Sequence, residues 1–191
     1  MLNAQEFQDL QQKIAVHDDQ HAFSQLYVSV MPFLLQFANS IIKNKELAEE
    51  IVSDVFIKIW QKRSSLTGVG NFKLYLYIST KNTALNYLSR HFRKETISLD
   101  EMSLNVITTR YNPEQLMITS EAVKKIDAEI QKLPTRCKII FKLVKEDGLK
   151  YNDIASLLNI SVKTIDNQMA IALKKISSAI NFELKKAQKH F

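Results

Sequence analysis

The sequence predicts an all-α protein with two small helical domains that are joined by a flexible acidic linker. Three observations lead to this fold class. Only three glycines and three prolines occur in 191 residues, which is too few for the many turns of an all-β chain. Apolar residues make up 46% of the chain, enough to build cores. Over long stretches these residues recur at spacings of three and four, the period of an amphipathic helix.

The N-terminal half is predicted to consist of successive helices. Helix is expected from residue 22 to residue 61, with Pro32 at a break or a first turn and residues 43–45 at a short corner. The segment LAEEIVSDVFIKIW has the clearest period. Its wide apolar stripe contains Ile51, Val52, Val55, Phe56, Ile59 and Trp60.

The next helix is predicted to follow a loop over residues 64–70, where Gly68 and Gly70 interrupt the period. Asn71 is suited to cap this helix. The segment, NFKLYLYISTKNTALNYLSRHFRK, has five basic side chains, five aromatic side chains and no acid. Its buried face is assigned to Leu74, Ile78, Leu85, Leu88 and Phe92.

A linker is predicted over residues 95–122, which lose the helical period and contain Pro113. A structureless stretch of this length is uncommon within one compact domain. The linker would therefore separate a first domain over residues 1–94 from a second domain over residues 123–191.

In the second domain the period returns and three helices are expected. Pro134 begins the first, since proline suits a first helical turn, and Gly148 ends it. The second covers residues 151–158, and Ser161 caps the third, which runs from residue 162 to about residue 176 before a basic tail. The expected inward side chains are Cys137, Ile140, Phe141 and Val144 in the first helix and Ile154, Ala155 and Leu158 in the second.

The last two helices meet the requirements of a helix-turn-helix, which needs a tight turn between two short helices and a small residue where they cross. Ala155 is the small residue, and Asn159 suits a left-handed turn. Ile160 joins the apolar wedge. The last helix then directs inward Val162, Ile165, Met169, Ala172 and Ile176, and outward Lys163, Thr164, Asn167 and Lys174. Amides on such a face can pair with adenine, and lysine with phosphate or guanine. The alternative is a helical hairpin that only packs on its own domain.

Charge is arranged in blocks along the chain. Residues 1–60 have a net charge of −4, residues 61–94 of +7, residues 95–122 of −4 and residues 123–191 of +7. A basic protein commonly binds a polyanion, most often nucleic acid. A solubilised surface is the alternative, but ordinary helix surfaces mix both signs, and no acid occurs from residue 55 to residue 94.

The acid-free helix combines basic with aromatic side chains, a combination that favours melted DNA over intact duplex. Basic residues hold a phosphate backbone, and exposed aromatic rings stack on unpaired bases. Asn82 and Asn86, one turn apart, offer amides to base edges. The alternative is that the aromatic residues belong to the core, which we favour for Phe72 and Phe92. For Tyr75 and Tyr87 both interpretations stay open. The five aromatic residues of this helix are Phe72, Tyr75, Tyr77, Tyr87 and Phe92.

An acidic face lies on the helix before this block. Its members are Glu46, Glu49, Glu50 and Asp54. They form either a solvated surface or a docking surface for a basic protein.

Several other classes of protein are excluded by the composition. The single cysteine excludes an internal disulfide framework and a cysteine-based zinc site, and His17 and His21 have no third metal ligand. No Ser/His/Asp set, P-loop or spaced carboxylate pair occurs, so we expect no catalytic residues, no metal and no cofactor. The start has no signal segment, and no apolar stretch is long enough for a membrane span. A cytoplasmic protein without membrane insertion is therefore expected.

The chain resembles bacterial sigma factors of the extracytoplasmic-function (ECF) group of the sigma-70 family. The core-polymerase-binding helices of that group resemble AFSQLYVSVMPFLLQFA and LAEEIVSDVFIKIW, and the −10-reading helix resembles YLYISTKNTALNYLSR. The −35-reading domain resembles LPTRCKIIFKLVKEDGLKYNDIASLLNISVKTIDNQMAIALKKI. The two resemblances cover about residues 20–95 and 125–178 in the family's order. The ending KTIDNQMAIALKKI is also similar to the iron-uptake-type branch.

This resemblance implies roles for matching positions. Core polymerase would be bound by Glu50, Ser53 and Asp54. The −10 element would be bound by Tyr75, Lys81, Asn82, Asn86, Arg90 and Arg93. The −35 element would be bound by Arg136, Lys138, Lys163, Thr164, Asn167 and Gln168. The chain departs from common family residues at Tyr75 (often tryptophan), Ser53 (often glutamine), and Gln168 and Ala170 (often basic).

The implied function is that of a promoter-specificity subunit and not of an enzyme. Its implied partners are core RNA polymerase (the β′ clamp and β subunits), promoter DNA and an inhibitory anti-sigma factor. One alternative is a stand-alone helix-turn-helix regulator whose first domain senses a ligand or dimerises, but this leaves the acid-free helix without a role. A catalytic helical protein is the third interpretation, and the lack of a convergent polar constellation argues against it.

Overall fold

A computed structural model of the chain describes the backbone of residues 2–92 and 120–188 and the side chains of residues 2–90 and 126–178. The chain divides into two compact units, Met1–Leu104 and Asn105–Phe191. The described residues of both are helical, with no strand among them, which confirms the predicted all-α class. The limits of the predicted domains stay a prediction, because residues 93–119, with most of the predicted linker, lie outside the described part.

Unit 1 contains four α-helices and one short 3-10 helix in its described part. Their bounds are α1 Ala4–His17, α2 Gln20–Ile42, α3 Lys45–Gln61, the 3-10 helix Arg63–Gly68 and α4 Phe72–Phe92. Helix α2 is the centre of the unit, since it packs against α1, α3 and α4.

Helix α1 has no counterpart in the sequence prediction. It begins with a capping box in which Asn3 Oδ1 accepts from the Glu6 N–H at 2.9 Å and Glu6 Oε2 accepts from the Asn3 N–H at 2.6 Å. Gln11 ties α1 to the 3-10 helix, because its Nε2 donates to the carbonyl oxygens of Leu66 and Val69 at 2.6 and 2.7 Å. The sequence predicts a loop where this 3-10 helix forms.

Helix α2 continues through Pro32, so this residue lies neither at a break nor in a first turn, the two predicted places. Proline removes one backbone hydrogen bond, but Val30 and Leu34 on either side are completely buried, and their packing keeps the helix in one piece. Among the described residues, α2 is the one helix whose length and apolar composition would let it cross a membrane, and 44% of its apolar window is buried inside the structure.

Helices α3 and α4 complete the core of unit 1. The predicted α3 stripe is present, with Trp60 half-buried and the other five residues buried. Asn71 caps α4 as predicted, since its Oδ1 accepts from the Leu74 N–H at 3.0 Å. The predicted buried face of α4 is confirmed at Leu88 and wrong elsewhere in the described part: the other buried side chains are Phe72, Leu76, Tyr77, Thr80 and Ala84.

The inner face of α4 differs from the predicted one because it includes residues that are not strongly apolar, namely Thr80, Tyr77 and Ala84. Thr80 enters the core by donating its hydroxyl hydrogen to the Leu76 carbonyl oxygen at 2.8 Å. The Tyr77 ring packs on Phe37 with centroids 5.2 Å apart. The residues predicted to be buried, Leu74, Ile78 and Leu85, are half-buried flanks, and the Phe92 side chain lies outside the described part.

Unit 2 contains four described helices, α5 Ser120–Gln131, α6 Thr135–Lys145, α7 Tyr151–Leu158 and α8 Val162–Gln188. Residues 120–122, predicted as linker, thus belong to α5. Helix α8 packs on all three others and continues well past residue 176, where the prediction ended it. Val144, Ala155 and Leu158 are half-buried where burial was predicted, and Leu157 takes the inner position of α7.

The turn between α7 and α8 has the predicted helix-turn-helix geometry. Asn159 adopts the left-handed conformation with φ 54° and ψ 51°. Ser161 caps α8, because its Oγ accepts from the Thr164 N–H at 3.0 Å. Ile165 is completely buried, whereas Val162, predicted to face inward, is 40% exposed because it precedes the first contact of α8 with the core.

Candidate functional site

One face of α4 is polar and free of acids. Asn82, Asn86 and Arg90 are exposed and follow one another at intervals of four, so they lie along one side of the helix. Tyr75, seven residues before Asn82, continues the line. From Tyr75 to Arg90 this row extends about 22 Å along the helix axis. We call these four residues the α4 row; it lies opposite the buried face of Leu76, Ala84 and Leu88.

Fewer aromatic rings are available to stack on bases than the composition suggests. Tyr77 is completely buried and Phe72 is 3% exposed, so both belong to the core. Tyr75 and Tyr87 are half-buried and keep part of each ring at the surface. Lys81 is also half-buried, and Arg93 lies outside the described residues. The structure thus brings together Tyr75, Asn82, Asn86 and Arg90 of the predicted −10 set.

A second polar face lies on the N-terminal part of α8. Lys163 and Asn167 are exposed, at spacing four on one side of the helix. Thr164 is half-buried, and its hydroxyl lies 2.8 Å from Ser161 Oγ, so it belongs to the helix cap. Gln168 is half-buried. Ile171, 42% exposed, extends the face by one turn. We call Lys163, Asn167 and Ile171 the α8 face.

Arg136 and Lys138, the other predicted −35 residues, are both half-buried in unit 2. Lys138 Nζ donates to the Gln131 carbonyl oxygen at 2.6 Å and approaches Gln131 Oε1 at 3.3 Å, so its ammonium satisfies the C-terminal end of α5. Burial lowers the pKa of Lys138. Arg136 is half-buried, and its buried Nε finds no hydrogen-bond acceptor among the described residues. Both side chains are less available to DNA than Lys163 and Asn167.

Cys137 connects α6 to the N-terminal part of α8. Its Sγ donates to the Gln168 carbonyl oxygen at 3.2 Å, across 31 positions of sequence. Burial raises the pKa of the thiol, and the charge of Lys175 offsets only part of this effect. The thiol therefore stays protonated at neutral pH. The thiol therefore fixes α8 against α6 and is not suited to act as a nucleophile.

The exposed side of α3 contains the three residues predicted to bind polymerase. Glu50 and Asp54 are exposed one turn apart. Ser53 is exposed, but its Oγ donates to the Glu49 carbonyl oxygen at 2.8 Å and so lies against its own helix. Glu49 also lies 4.0 Å from Lys45 Nζ, a surface ion pair.

A groove that the sequence does not predict lies beside these residues, between α2 and α3. It has a volume of about 380 Å³, and its lining consists of Phe23, Tyr27, Ser53, Phe56, Ile57, Trp60 and Gln61. The sequence shows these rings as members of helical stripes, but it does not show that two stripes leave a space between them.

Within the described residues, no group of three His, Cys, Asp or Glu side chains is placed to hold a metal ion. The features that the structure brings to the surface are polar rows and an aromatic groove. Such surfaces are suited to bind macromolecules.

Comparison with known proteins identifies both units. The model of sigma-70 region 2 matches residues 26–94, and the model of sigma-70 region 4 matches residues 124–176. The ECF RNA polymerase sigma-E factor of Escherichia coli K12 is 26% identical over 169 residues, which are 85% of this chain and 88% of the relative. The RNA polymerase sigma-H factor of Pseudomonas aeruginosa is 23% identical over 194 residues, 98% of this chain and all of the relative.

Two solved structures have a similar fold. CnrH, in complex with the cytosolic domain of CnrY, gives a TM-score of 0.53 at 19% identity and covers 92% of this chain and 97% of its own. The sigma factor RpoE of Bartonella quintana, in complex with the anti-sigma factor NepR, gives 0.50 at 20% identity and covers 83% of this chain and 96% of its own. Together the two matched regions, in sequence order, cover more than half of the chain, which therefore belongs to the ECF group of sigma-70 family RNA polymerase sigma factors, non-enzymatic initiation factors that bind core polymerase and DNA.

Proposed function

We propose that this sigma factor divides promoter recognition between the α4 row, which binds the −10 element, and the α8 face, which binds the −35 element. The observation that carries the proposal is the composition of the α4 row: two amides, an arginine and a tyrosine edge, with no acid from residue 55 to residue 92. Amides can hydrogen-bond the edges of flipped bases, the arginine can bind backbone phosphate, and the ring can stack.

We propose that the −35 element is bound as duplex DNA, without separation of its strands. Asn167 and Lys163 are exposed on the first two turns of the helix-turn-helix recognition helix, the part that enters a major groove. The Asn167 amide suits adenine and the Lys163 ammonium suits guanine or phosphate. Thr164, Gln168, Arg136 and Lys138 complete the predicted set, in supporting positions.

Run-off transcription tests the division between the two surfaces. Purified chain and core RNA polymerase are incubated with a pool of random promoter fragments, and transcribed fragments are sequenced. We expect enrichment of two short motifs at a fixed separation. A stand-alone helix-turn-helix regulator, the alternative interpretation, would give no transcript until another sigma factor is added. A single enriched motif would contradict the division into two surfaces.

The acidic side of α3 is proposed to dock the chain onto core polymerase. Glu50 and Asp54 are exposed, and the described residues give neither of them an ion pair. Reversing both charges, Glu50→Lys with Asp54→Lys, should weaken binding to core polymerase by about tenfold or more, because like charges then face a basic partner. Binding is measured by fluorescence anisotropy at two salt concentrations, and the loss should be larger at low salt.

A matched control adds the same positive charge elsewhere. Gln8, Asp9 and Gln12 are exposed on α1, so Gln8→Lys, Asp9→Lys and Gln12→Lys together make the same charge change without touching α3. This variant should bind core polymerase like the unmodified chain. Equal losses in both variants would mean that overall charge, and not the acidic side of α3, controls binding.

We also propose regulation by an inhibitory protein partner and a cytoplasmic site of action, where polymerase and promoter DNA are found. In support, two proteins of similar fold were solved as complexes, one with the cytosolic domain of CnrY and one with the anti-sigma factor NepR. The iron-uptake-type branch stays a prediction, since the relatives named above have sigma-E and sigma-H names, which give it no support.

A further inference from the structure

An exposed isoleucine interrupts the polar surface of the recognition helix α8. Ile171 is 42% exposed. It follows Lys163 and Asn167 at spacings of eight and four, so the three side chains lie along one side of the helix. The opposite side of α8 meets the core of unit 2, and its buried residues are Ile165, Met169, Ala172 and Ile176. Ile171 therefore lies outside that core.

The charges around Ile171 are positive. Lys163 and Lys174, both exposed, lie before and after it on the outer side of α8. Asp166 is the only acid from residue 154 to residue 182, and it is about 140° away from Ile171 around the helix axis. Single exposed apolar residues are common on protein surfaces, but this one lies between ammonium groups on a helix face that suits a polyanion.

The major groove of DNA offers one apolar group to such a side chain, the C5-methyl group of thymine. The other groups that the bases present there are hydrogen-bond donors and acceptors. An isoleucine that covers one of these polar groups removes its hydrogen bond to water and gives none in return, which is unfavourable. An isoleucine in the groove therefore favours thymine over the other three bases.

The dimensions of the α8 face agree with this contact. From Lys163 to Ile171 the face extends about 12 Å along the helix axis, which is close to the width of the major groove. Ile171 and Asn167 are about 6 Å apart along the axis, whereas successive base pairs are about 3.4 Å apart. The two side chains therefore reach different base pairs.

We infer that Ile171 is a specificity-determining residue that selects thymine at one position of the −35 element through contact with the thymine methyl group. This inference rests on the proposed role of the α8 face in binding the −35 element, and it names the base that one further side chain of this face recognises. Removing one methyl group from water gives a preference of about fourfold.

Deoxyuridine provides the test, because it pairs with adenine as thymidine does and lacks only the C5-methyl group. Promoter fragments obtained by the run-off selection are remade with one deoxyuridine at each thymine of the −35 element, on either strand. Binding of the complete holoenzyme is measured by competition. We expect one replacement that lowers the affinity by about fourfold. With Ile171→Ala the two fragments should bind equally at that position, and Ile171→Val, which keeps a branched apolar side chain, should retain part of the preference.

Leu173 provides a matched control on the same helix. It is 47% exposed, and two positions after Ile171 it lies about 200° further around the axis, on another side of α8. Leu173→Ala removes a similar apolar side chain and should retain the full preference for thymine over deoxyuridine. Since neither residue belongs to the core, both alanine variants should keep the helix content and the melting temperature of the unmodified chain.

The outcomes separate this inference from the proposed role of the α8 face. If Ile171→Ala keeps the same preference for thymine over deoxyuridine, or if no deoxyuridine lowers the affinity, the role of Ile171 is overturned. If Asn167→Ala still relaxes the −35 preference in that case, the α8 face retains its proposed role; if neither variant changes any −35 preference, that role fails as well. If Ile171→Ala instead weakens binding to core polymerase in the absence of DNA, a protein surface covers Ile171, and the inference is wrong.

Discussion

Asn167 is the side chain on which discrimination at the −35 element is expected to depend most. It is exposed on the second turn of α8, and its amide is the group that can pair bidentately with adenine. Asn167→Ala should cost about 1–3 kcal/mol at one base pair and relax the preference there. The measurement is competition binding of the complete holoenzyme to promoter fragments that differ at single −35 positions.

A control for Asn167 comes from the α4 row. Asn86→Ala removes the same amide from an equally exposed position, but its effect should appear at the −10 element and leave −35 preferences unchanged. An Asn167→Ala loss spread evenly over every −35 sequence would show that Asn167 binds phosphate. Its place in base recognition would then be wrong.

The exposure of individual side chains was predictable from the sequence wherever polarity alone determines it. Asn82, Asn86, Lys163 and Asn167 are exposed as expected, because an uncharged amide or an ammonium on the polar side of an amphipathic helix has no reason to be buried. What polarity cannot predict is a partner. That Lys138 bonds to the end of α5 depends on the path of the chain through a turn.

Among the helices, α4 shows what hydrophobic periodicity can and cannot determine. The period predicts the helix and its cap, but it assigns leucine and isoleucine to the core and overlooks an inner face with a threonine, a tyrosine and an alanine. Thr80 is buried because it bonds to its own helix, and Ala84 because a small side chain lets helices approach closely. These are properties of packing that a hydropathy pattern does not contain.

Helix α1 was predictable from a local signal, whereas the continuity of α2 was not. Asn3 followed three residues later by Glu6 is the sequence signature of a capping box, and the structure has both of its hydrogen bonds. Pro32 carries the opposite signal, because proline inside a helix usually ends or kinks it. Its neighbours Val30 and Leu34 are completely buried, and such tertiary packing overrides local preference.

Neither hydrophobic periodicity nor a local signal such as a capping box could predict the groove, because it is a space between α2 and α3. Its rings appear in the sequence as core residues, and Trp60 and Phe56 are indeed in the predicted stripe. Only the packing of two helices shows that Phe23 and Trp60 meet at 4.9 Å and leave one side uncovered. A groove of this kind can therefore be found only in a structure.

In the whole molecule, each unit has a core of its own, and one buried charge cluster belongs to unit 2 alone. Lys142 and Asp147 are almost completely buried, with Nζ and Oδ1 2.5 Å apart. Burial raises the pKa of the adjacent Glu146 to about 7; Lys142 opposes this shift, and Asp147 and Asp127 add to it. Asp127 is on α5, so the cluster connects α5 to the turn after α6.

The stability of unit 2 should consequently fall as pH rises from 5 to 8. A carboxyl with a folded pKa above its unfolded value binds more protons when folded, so its stabilising effect is complete below about pH 4.5 and is lost as pH passes through 7. Allowing for the partial exposure of Glu146, the loss is about 1–2 kcal/mol. In a domain of this size that lowers the melting temperature by several degrees.

Unit 1 should not respond over the same range. A hydrogen bond from Arg63 lowers the pKa of Asp18, and a backbone hydrogen bond from Ala22 lowers that of Asp19. Carboxyls of this kind lose their stabilising effect only in acid, as pH falls through their folded pKa. The two units are therefore expected to unfold in separate steps, of which one depends on pH near neutrality.

Tryptophan fluorescence and circular dichroism can separate the two unfolding steps within the same chain. The single tryptophan of the sequence, Trp60, lies in unit 1, so its fluorescence follows unit 1, whereas circular dichroism at 222 nm follows both. Glu146→Gln keeps the size of the side chain and removes its titration, so the pH-dependent step should disappear and unit 2 should melt higher at pH 8 than in the unmodified chain. Glu129→Gln, near the surface of α5, is the control and should retain the dependence. A tryptophan transition that moves with pH as far as the dichroism transition would show that the units unfold as one, and a pH dependence that survives Glu146→Gln would place the sensitive group outside the Glu146 cluster.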